Sequence, residues 1–221
     1  MTYVTSDLRG NLDAYRDLLK KINFSDRDTL YVLGDTVGDG VNSLPLLTEM
    51  SMCPNVYPVA GERDLRALRL LSAFDEMERE KSAPSPDFIA EMTDFVKGGG
   101  APTREAFRAA DAEEREGILD YLSEFTLYEE VTAKAGDFVL AHAGIDGFSP
   151  DTPLEDYPPE AFFTPAKEGA RFFADAALVV GHIPTASGKI ERDGGVIRIC
   201  VSDTGERLAC LSLDDMREFY V

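Results

Sequence analysis

The chain has 221 residues, 44% of them hydrophobic, and its 41 Asp and Glu outnumber its 22 Lys and Arg, which gives a formal net charge of −19. Such acidity excludes nonspecific binding to nucleic acid or to an anionic membrane surface, because both depend on basic side chains that neutralise phosphates. The length suffices for one substantial hydrophobic core, so we predict a single domain over residues 1–221.

The cysteines and the apolar runs bear on the cellular compartment. Cys53, Cys200 and Cys210 form no CxxC or zinc-finger pattern, so we interpret them as reduced core thiols. The chain enters a strand-like run at Tyr3 with no basic and apolar leader before it. No apolar run approaches the roughly 20 residues that a membrane-spanning helix needs. We therefore expect a cytoplasmic protein with no membrane partner.

The first part of the chain alternates between strand and helix patterns. Short β-rich runs are predicted at 2–5, 29–33 and 55–60, and the stretches 11–22 and 43–50 repeat apolar residues at helical spacing. This βαβαβ order predicts a parallel sheet.

The middle of the chain, 62–126, has a charged and mostly helical pattern. It is broken at 82–86 and at 98–100, where Pro, Ser and Gly are typical of turns or linkers.

Strand patterns dominate the last part of the chain. They are predicted at 128–133, 137–141, 178–180, 189–192, 196–201 and 208–213. Asp193-Gly-Gly195 is a hairpin signal between two of them. Because strands alternate with helices early and outnumber them late, we predict a mixed α/β sandwich of two facing sheets.

Five signatures that follow strand patterns place a carboxylate or an imidazole beside a glycine. A glycine there lets the backbone turn sharply at the end of a strand, so these side chains are expected to converge beyond the sheet edge. The signatures are Ser6-Asp-Leu-Arg-Gly10, Gly34-Asp-Thr-Val-Gly-Asp-Gly40, Gly61-Glu-Arg-Asp64, His142-Ala-Gly144 and Gly181-His182.

In their order and spacing these signatures resemble those of the metallophosphoesterase (calcineurin-like) superfamily. The resemblance is to the phosphoprotein-phosphatase branch, which includes bacterial and phage serine/threonine phosphatases and symmetrical diadenosine-tetraphosphate hydrolases. It implies a four-layer α/β/β/α sandwich of two mixed sheets, with 65–130 as a mostly helical insertion within the domain.

The resemblance also implies a two-metal hydrolase and the residues that would bind its ions. The first ion would be held by Asp7, position 9 and Asp35. The second ion would be held by Asp35, Glu62, His142 and His182, a ligand set that suits Mn²⁺, Fe²⁺ or Zn²⁺.

Four positions depart from the family pattern. Arg9 replaces a histidine ligand, and a guanidinium has no lone pair to give a metal, so we expect one ion rather than two. Arg63 replaces the histidine that acts as general acid, and Gly38 replaces the carboxylate partner of that histidine. Asp39 stands where the family carries a phosphate-binding arginine.

Two functions remain open from the sequence. In the first, the protein is a phosphoesterase with one metal ion and weak or specialised activity. Arg9 and Arg63 bind the phosphate of a phosphorylated small molecule or a phosphoprotein, and Asp64 or a water replaces the general acid, so that Arg63 and Asp64 are the candidate catalytic residues. In the second, the protein is a pseudophosphatase that binds a phosphorylated ligand or a protein without turnover. The two arginines then form ion pairs with Asp7, Asp39 and Glu62 and fill an empty metal cavity.

Overall fold

Ten strands and six α-helices are found in the computed structural model, which describes residues 1–38, 40 and 42–221. The strands are β1 (Thr2–Ser6), β2 (Thr29–Leu33), β3 (Val56–Val59), β4 (Tyr128–Ala133), β5 (Gly136–Ala141), β6 (Ala176–Val180), β7 (Glu191–Asp193), β8 (Val196–Arg198), β9 (Ala209–Ser212) and β10 (Glu218–Tyr220). The helices are α1 (Leu12–Ile22), α2 (Ser43–Ser51), α3 (Glu62–Glu80), α4 (Pro86–Phe95), α5 (Ala101–Ala109) and α6 (Ala112–Ser123). Among the described residues, no helix is long and apolar enough to span a membrane.

The strands form two five-stranded mixed sheets. The first has the order β10-β9-β1-β2-β3, with β1, β2 and β3 parallel to one another, and the second has the order β4-β5-β6-β8-β7. The predicted fold class is thus confirmed, as is the hairpin between β7 and β8, which pair in antiparallel fashion across Gly194 and Gly195. The end of the chain, for which the sequence predicts no role, is the edge strand β10.

The two sheets face each other across a shared apolar core. Val4 and Leu33 of the first sheet belong to the same buried cluster as Leu140 and Val179 of the second. Because each strand turns alternate side chains to opposite faces, its other residues meet the outer layers. Helices α1 and α2 cover the outer face of the first sheet with Leu18, Leu46 and neighbouring apolar residues.

The helical segment after β3 packs on the main body through a common core. Phe107 and Leu122 of this segment are buried in one cluster with Leu47 of α2 and with Val37, which follows β2. The break at 98–100 is a kinked π-turn, Val96–Gly100, between α4 and α5, and Gly99 has a φ of 98°. These glycines therefore bend a continuous helical run, where the sequence suggested a turn or linker.

The outer face of the second sheet is covered chiefly by loop. Phe162 and Ile145 pack there against Val139 and Leu178, and the helical content of this cover is limited to short 3₁₀ turns at Leu154–Asp156 and Pro159–Phe163. The Pro-rich composition at 150–165 explains the absence of a longer helix among these described residues, because proline cannot donate a backbone hydrogen bond.

Candidate active site

The site lies where β1, β2, β5 and β6 end, and its backbone is unusual there. Asp7, Arg9, Asp35 and His182 all have left-handed backbone angles, with φ between 47° and 67°. Such a conformation costs a non-glycine residue about 1–3 kcal/mol and persists only where the surroundings enforce it. Here the neighbouring loops enforce it in part: the Asp7 N–H donates to the Gly34 carbonyl at 3.1 Å and the Arg9 N–H to the Asp35 carbonyl at 2.9 Å.

The two histidines of the chain lie against each other. His142 is fully buried, and its Nδ1 is 3.0 Å from the Leu33 carbonyl oxygen. A carbonyl can only accept, so we assign the ring proton to Nδ1, which leaves the lone pair on Nε2. That Nε2 is 3.0 Å from His182 Nδ1 and 3.5 Å from Asp35 Oδ1.

These three side chains form a cluster that fits a divalent metal ion. One donor atom each from Asp35, His142 and His182 lie within 4.8 Å of one another. The bond from His142 to the Leu33 carbonyl is of the kind that usually orients a metal-binding imidazole. Burial, and next the proximity of His142, lower the pKa of His182 and so favour its neutral ring, which is the form that binds a metal.

The other two predicted metal ligands are placed differently. Glu62 is the first residue of α3 and is exposed, and the structure does not bring its carboxylate into the three-residue cluster. Asp7 is buried, but one of its oxygens accepts the His182 backbone N–H at 3.0 Å and the other is 3.4 Å from Arg9 Nη2. The described cluster therefore has three ligands where the family resemblance implied four.

Both substrate-binding candidates contact Asp35. Arg9 Nη2 is 3.5 Å from Asp35 Oδ2, and Arg63 Nε is 3.4 Å from the same oxygen. Arg63 also donates to the Gly98 carbonyl at 3.1 Å. Burial disfavours the charged form of Arg9, but Asp7 and Asp35 outweigh it, so the pKa of Arg9 is raised and the guanidinium stays charged.

Asp64 is placed to cap a helix and not to meet a substrate. It is 1% exposed, and its two oxygens accept the backbone N–H groups of Val37 at 2.8 Å and Gly61 at 2.9 Å. Burial, followed by the Asp35 charge, raises the pKa of Asp64 to about 7. A buried carboxyl group with both oxygens occupied cannot reach a leaving group, so we withdraw the general-acid role for this residue.

The cleft in front of these residues has a volume of about 500 Å³. Arg9, Asp35, Glu62, Arg63 and His182 line it, together with Ile183, Pro184, Asp203 and Thr204. The turn at 202–205, which carries no predicted role, thus lies on the rim. Asp39, which stands where the family carries a phosphate-binding arginine, lies outside the described residues. Sequence reasoning missed the carbonyls of Leu33 and Gly98, because no sequence signal marks a backbone acceptor.

The fold and the site together indicate to which class of protein this chain belongs. Two facing mixed sheets, with carboxylates and imidazoles converging at strand ends, are the arrangement of a metal-dependent phosphoesterase domain. The family model of calcineurin-like phosphoesterases matches residues 2–210, and the chain belongs to this family. The resemblance inferred from the five signatures is therefore confirmed.

The relatives found by sequence include symmetrical bis(5′-nucleosyl)-tetraphosphatases. One from Vibrio parahaemolyticus is 29% identical over 156 residues, which cover 70% of this chain and 47% of that protein. The chain thus spans about half the length of the curated relatives it matches.

Solved structures share the fold at lower identity. A crystal structure assigned as a candidate diadenosine tetraphosphatase has a TM-score of 0.67 at 18% identity and covers 100% of this chain and 92% of its own. A serine/threonine phosphatase from Saccharomyces cerevisiae has a TM-score of 0.57 at 13% identity, with coverages of 100% and 78%.

Proposed function

We propose that this protein is a phosphoesterase that uses one divalent ion, Mn²⁺, Fe²⁺ or Zn²⁺, held by Asp35, His142 and His182. The observation that carries this proposal is the His142 ring. Its Nδ1 proton is held by the Leu33 carbonyl, so its Nε2 lone pair points at His182 and Asp35. Two imidazoles and a carboxylate are a ligand set for a catalytic ion with open positions.

The ion and the side chains of the cleft would have different roles in catalysis. When bound, such an ion polarises a phosphoryl oxygen and activates a water molecule. Arg63 lines the cleft beside Asp35, so the positive charge of its guanidinium is placed to attract a phosphate there. Because a guanidinium keeps its proton near neutral pH, Arg63 binds the phosphate without acting as a proton donor.

Among the described residues, neither a histidine nor Asp64 is placed to protonate the leaving group. The sequence contains two histidines, both in the proposed ligand set, and Asp64 is buried with its oxygens accepting backbone N–H groups. We propose that water serves as the proton donor, which favours substrates whose leaving groups need little protonation. We therefore expect slow turnover of alkyl phosphates and faster turnover of aryl phosphates or phosphoanhydrides.

The substrate we propose is a phosphorylated small molecule, with a phosphoprotein as the other candidate. The names of the sequence relatives support a nucleotide-containing phosphoanhydride. The net charge of −19 gives no long-range attraction for either substrate, so binding depends on Arg63 at contact distance.

A pseudophosphatase is the second candidate function, and a specific observation favours it. The carboxylate of Asp35 already has Arg9 and Arg63 at 3.5 and 3.4 Å, so its charge is compensated without a substrate or an ion. In this case a phosphorylated ligand would bind to the cleft and remain intact.

Metal content tests the first function. Protein purified without chelator and titrated with Mn²⁺ should bind one ion, and His182→Ala should bind none. Ile89→Ala is the control, because it shortens an exposed apolar side chain on α4, outside the cleft, without removing a donor atom. Equal Mn²⁺ binding by wild type and His182→Ala would overturn the proposed ligand set.

Turnover separates the two functions. The Mn²⁺-loaded protein should hydrolyse p-nitrophenyl phosphate, with the rate lost in His182→Ala and kept in Ile89→Ala. Binding of inorganic phosphate without hydrolysis of p-nitrophenyl phosphate or diadenosine tetraphosphate would instead identify the pseudophosphatase.

A further inference from the structure

Two buried carboxylates share one internal cation at the ends of β1 and β2. Asp7 is 2% exposed and Asp35 is 3% exposed, and the Nη2 atom of Arg9 is 3.4 Å from the first and 3.5 Å from the second. Buried anions this close together require a positive charge between them. Arg9 supplies it, with only 9% of its side chain exposed.

We propose that the Arg9 guanidinium is a built-in counter-ion that takes the place of a cation between Asp7 and Asp35. The proposal deepens the function proposed above, since it explains why that site would hold one ion and not two. It also assigns Arg9 a structural charge role, distinct from the phosphate binding predicted from the sequence.

The backbone fixes Arg9 in this place. Its N–H donates to the Asp35 carbonyl, and its own carbonyl accepts from the Gly40 N–H at 2.8 Å. A Cβ on Gly38 would lie 2.7 Å from the Arg9 Cβ, so the missing side chain at position 38 is what lets the loop after β2 close over Arg9.

The hydrogen-bond geometry of Arg9 indicates that its positive charge matters more than its hydrogen bonds. Its Nε is buried and has no hydrogen-bond partner among the described residues, and its Nη2 contacts are longer than the about 2.7–2.9 Å typical of strong charge-assisted bonds. A side chain selected for directed hydrogen bonding would satisfy these donors first. A guanidinium placed between two carboxylates acts well at these distances through charge alone.

The carboxylate oxygens of Asp7 are also not free to bind another ion. One oxygen faces Arg9 and the other accepts the backbone N–H of His182. An added cation would have to displace a permanently charged group at contact distance. With Arg9 present, the Asp7 and Asp35 pair is filled.

Replacing Arg9 by an uncharged residue tests the proposal through two measurements, the metal stoichiometry and the thermal unfolding temperature. In Arg9→Gln the two carboxylates lose their counter-ion, so the metal-free protein should unfold about 6 °C or more below wild type. Added Mn²⁺ should then bind as two ions per chain, against one in wild type, and should recover most of the lost stability. Arg9→Lys keeps the charge and should bind one ion.

Two further variants allow the proposal to be tested even if Arg9→Gln folds poorly. Arg9→Gln with Asp7→Asn removes one positive and one negative charge, so it should be more stable than Arg9→Gln alone and bind one ion. Arg16→Gln is the matched control, since it removes an arginine from an exposed ion pair with Glu49 and should change neither stoichiometry nor stability by more than about 2 °C.

The outcomes distinguish this inference from the proposed function. Two ions in wild type, or no loss of stability and no added ion in Arg9→Gln, would overturn the counter-ion role. Absence of Mn²⁺ from wild type would count against the proposed phosphoesterase. The counter-ion role would still stand if Arg9→Gln then gained one ion and lost stability.

Discussion

At the scale of single residues, the site depends on glycines that let imidazoles and carboxylates approach one another. Gly34 directly follows β2 with a φ of 68°, and a Cβ there would collide with His142 Nδ1. Gly61 and Gly181 are equally confined, the first by Asp35 and the second by Asp7. A side chain at any of these three positions would therefore push a functional group of the site away.

Gly34→Ala should therefore harm the metal cluster beyond its effect on the backbone. The added methyl group would displace the His142 ring from the Leu33 carbonyl, and we expect Mn²⁺ to bind at least about tenfold more weakly. The measurement is a Mn²⁺ titration by calorimetry, combined with thermal unfolding.

Gly147→Ala is the control for Gly34→Ala. Gly147 has a similar φ of 63°, but nothing lies within 4 Å of the position that a methyl group would take there. It carries the same backbone strain, about 1–2 kcal/mol, without a collision. If both variants bound Mn²⁺ equally well, the close approach of Gly34 to His142 would not matter for metal binding.

At the scale of elements, the N-terminus of α3 is tied to the loop after β2 by one carboxylate. Asp64 accepts the N–H of Gly61 at the helix start and that of Val37 in the loop. This single side chain holds the first turn of α3, which carries Arg63 into the cleft, against that loop. A signature that suggested acid catalysis is therefore a helix cap that positions its neighbours.

Asp64→Ala should destabilise the fold by about 2–4 kcal/mol, because it leaves two buried N–H groups without acceptors. The free energy of unfolding in urea measures this loss. Asp111→Ala removes the exposed N-cap carboxylate of α6 and should cost only about 1 kcal/mol. Equal losses in the two variants would contradict the bridging role of Asp64.

At the scale of the whole molecule, the two sheets contribute different halves of the site. Asp7 and Asp35 follow strands of the first sheet, and His142 and His182 follow strands of the second. The sheets must therefore keep their relative position for the cluster to exist, and the apolar core between them does this. Folding of the core and formation of the site are consequently coupled.

The net charge of −19 should also affect stability as a whole-molecule property. Self-repulsion of the folded state weakens when salt shortens the Debye length, from about 30 Å at about 0.01 M to about 8 Å at about 0.15 M. Over this range the unfolding temperature should rise by at least about 2 °C, which corresponds to roughly 1 kcal/mol for a chain of this size.

Thermal unfolding in NaCl measures this effect, and choline chloride at equal ionic strength is the control for specific binding of sodium. The two salts should act alike if screening is the cause. An unfolding temperature that stays constant or falls with added NaCl would show that self-repulsion is not a significant cost in this fold.

The fold was predictable to a large extent, and the partners of the site residues were not. Alternating patterns predicted β1, β2 and the helical run after β3 within a few residues, because local periodicity reports which face of an element is buried. The same patterns could not show that Glu62 stays exposed while Asp64 is buried two residues later. That difference arises from the direction in which α3 enters the structure.

By itself, the sequence determined the element order, the acidic charge, the family and the residues that stand at the strand ends. Only the tertiary structure decided which of them meet: Leu33 holds the ring of His142 across 109 positions of the chain, and the His182 N–H reaches Asp7 across 175. The physical reason is the distance over which each kind of interaction acts. Propensity and periodicity act over a few neighbouring residues, whereas hydrogen bonds and ion pairs act over a few ångströms between loops that only the packed sheets bring together.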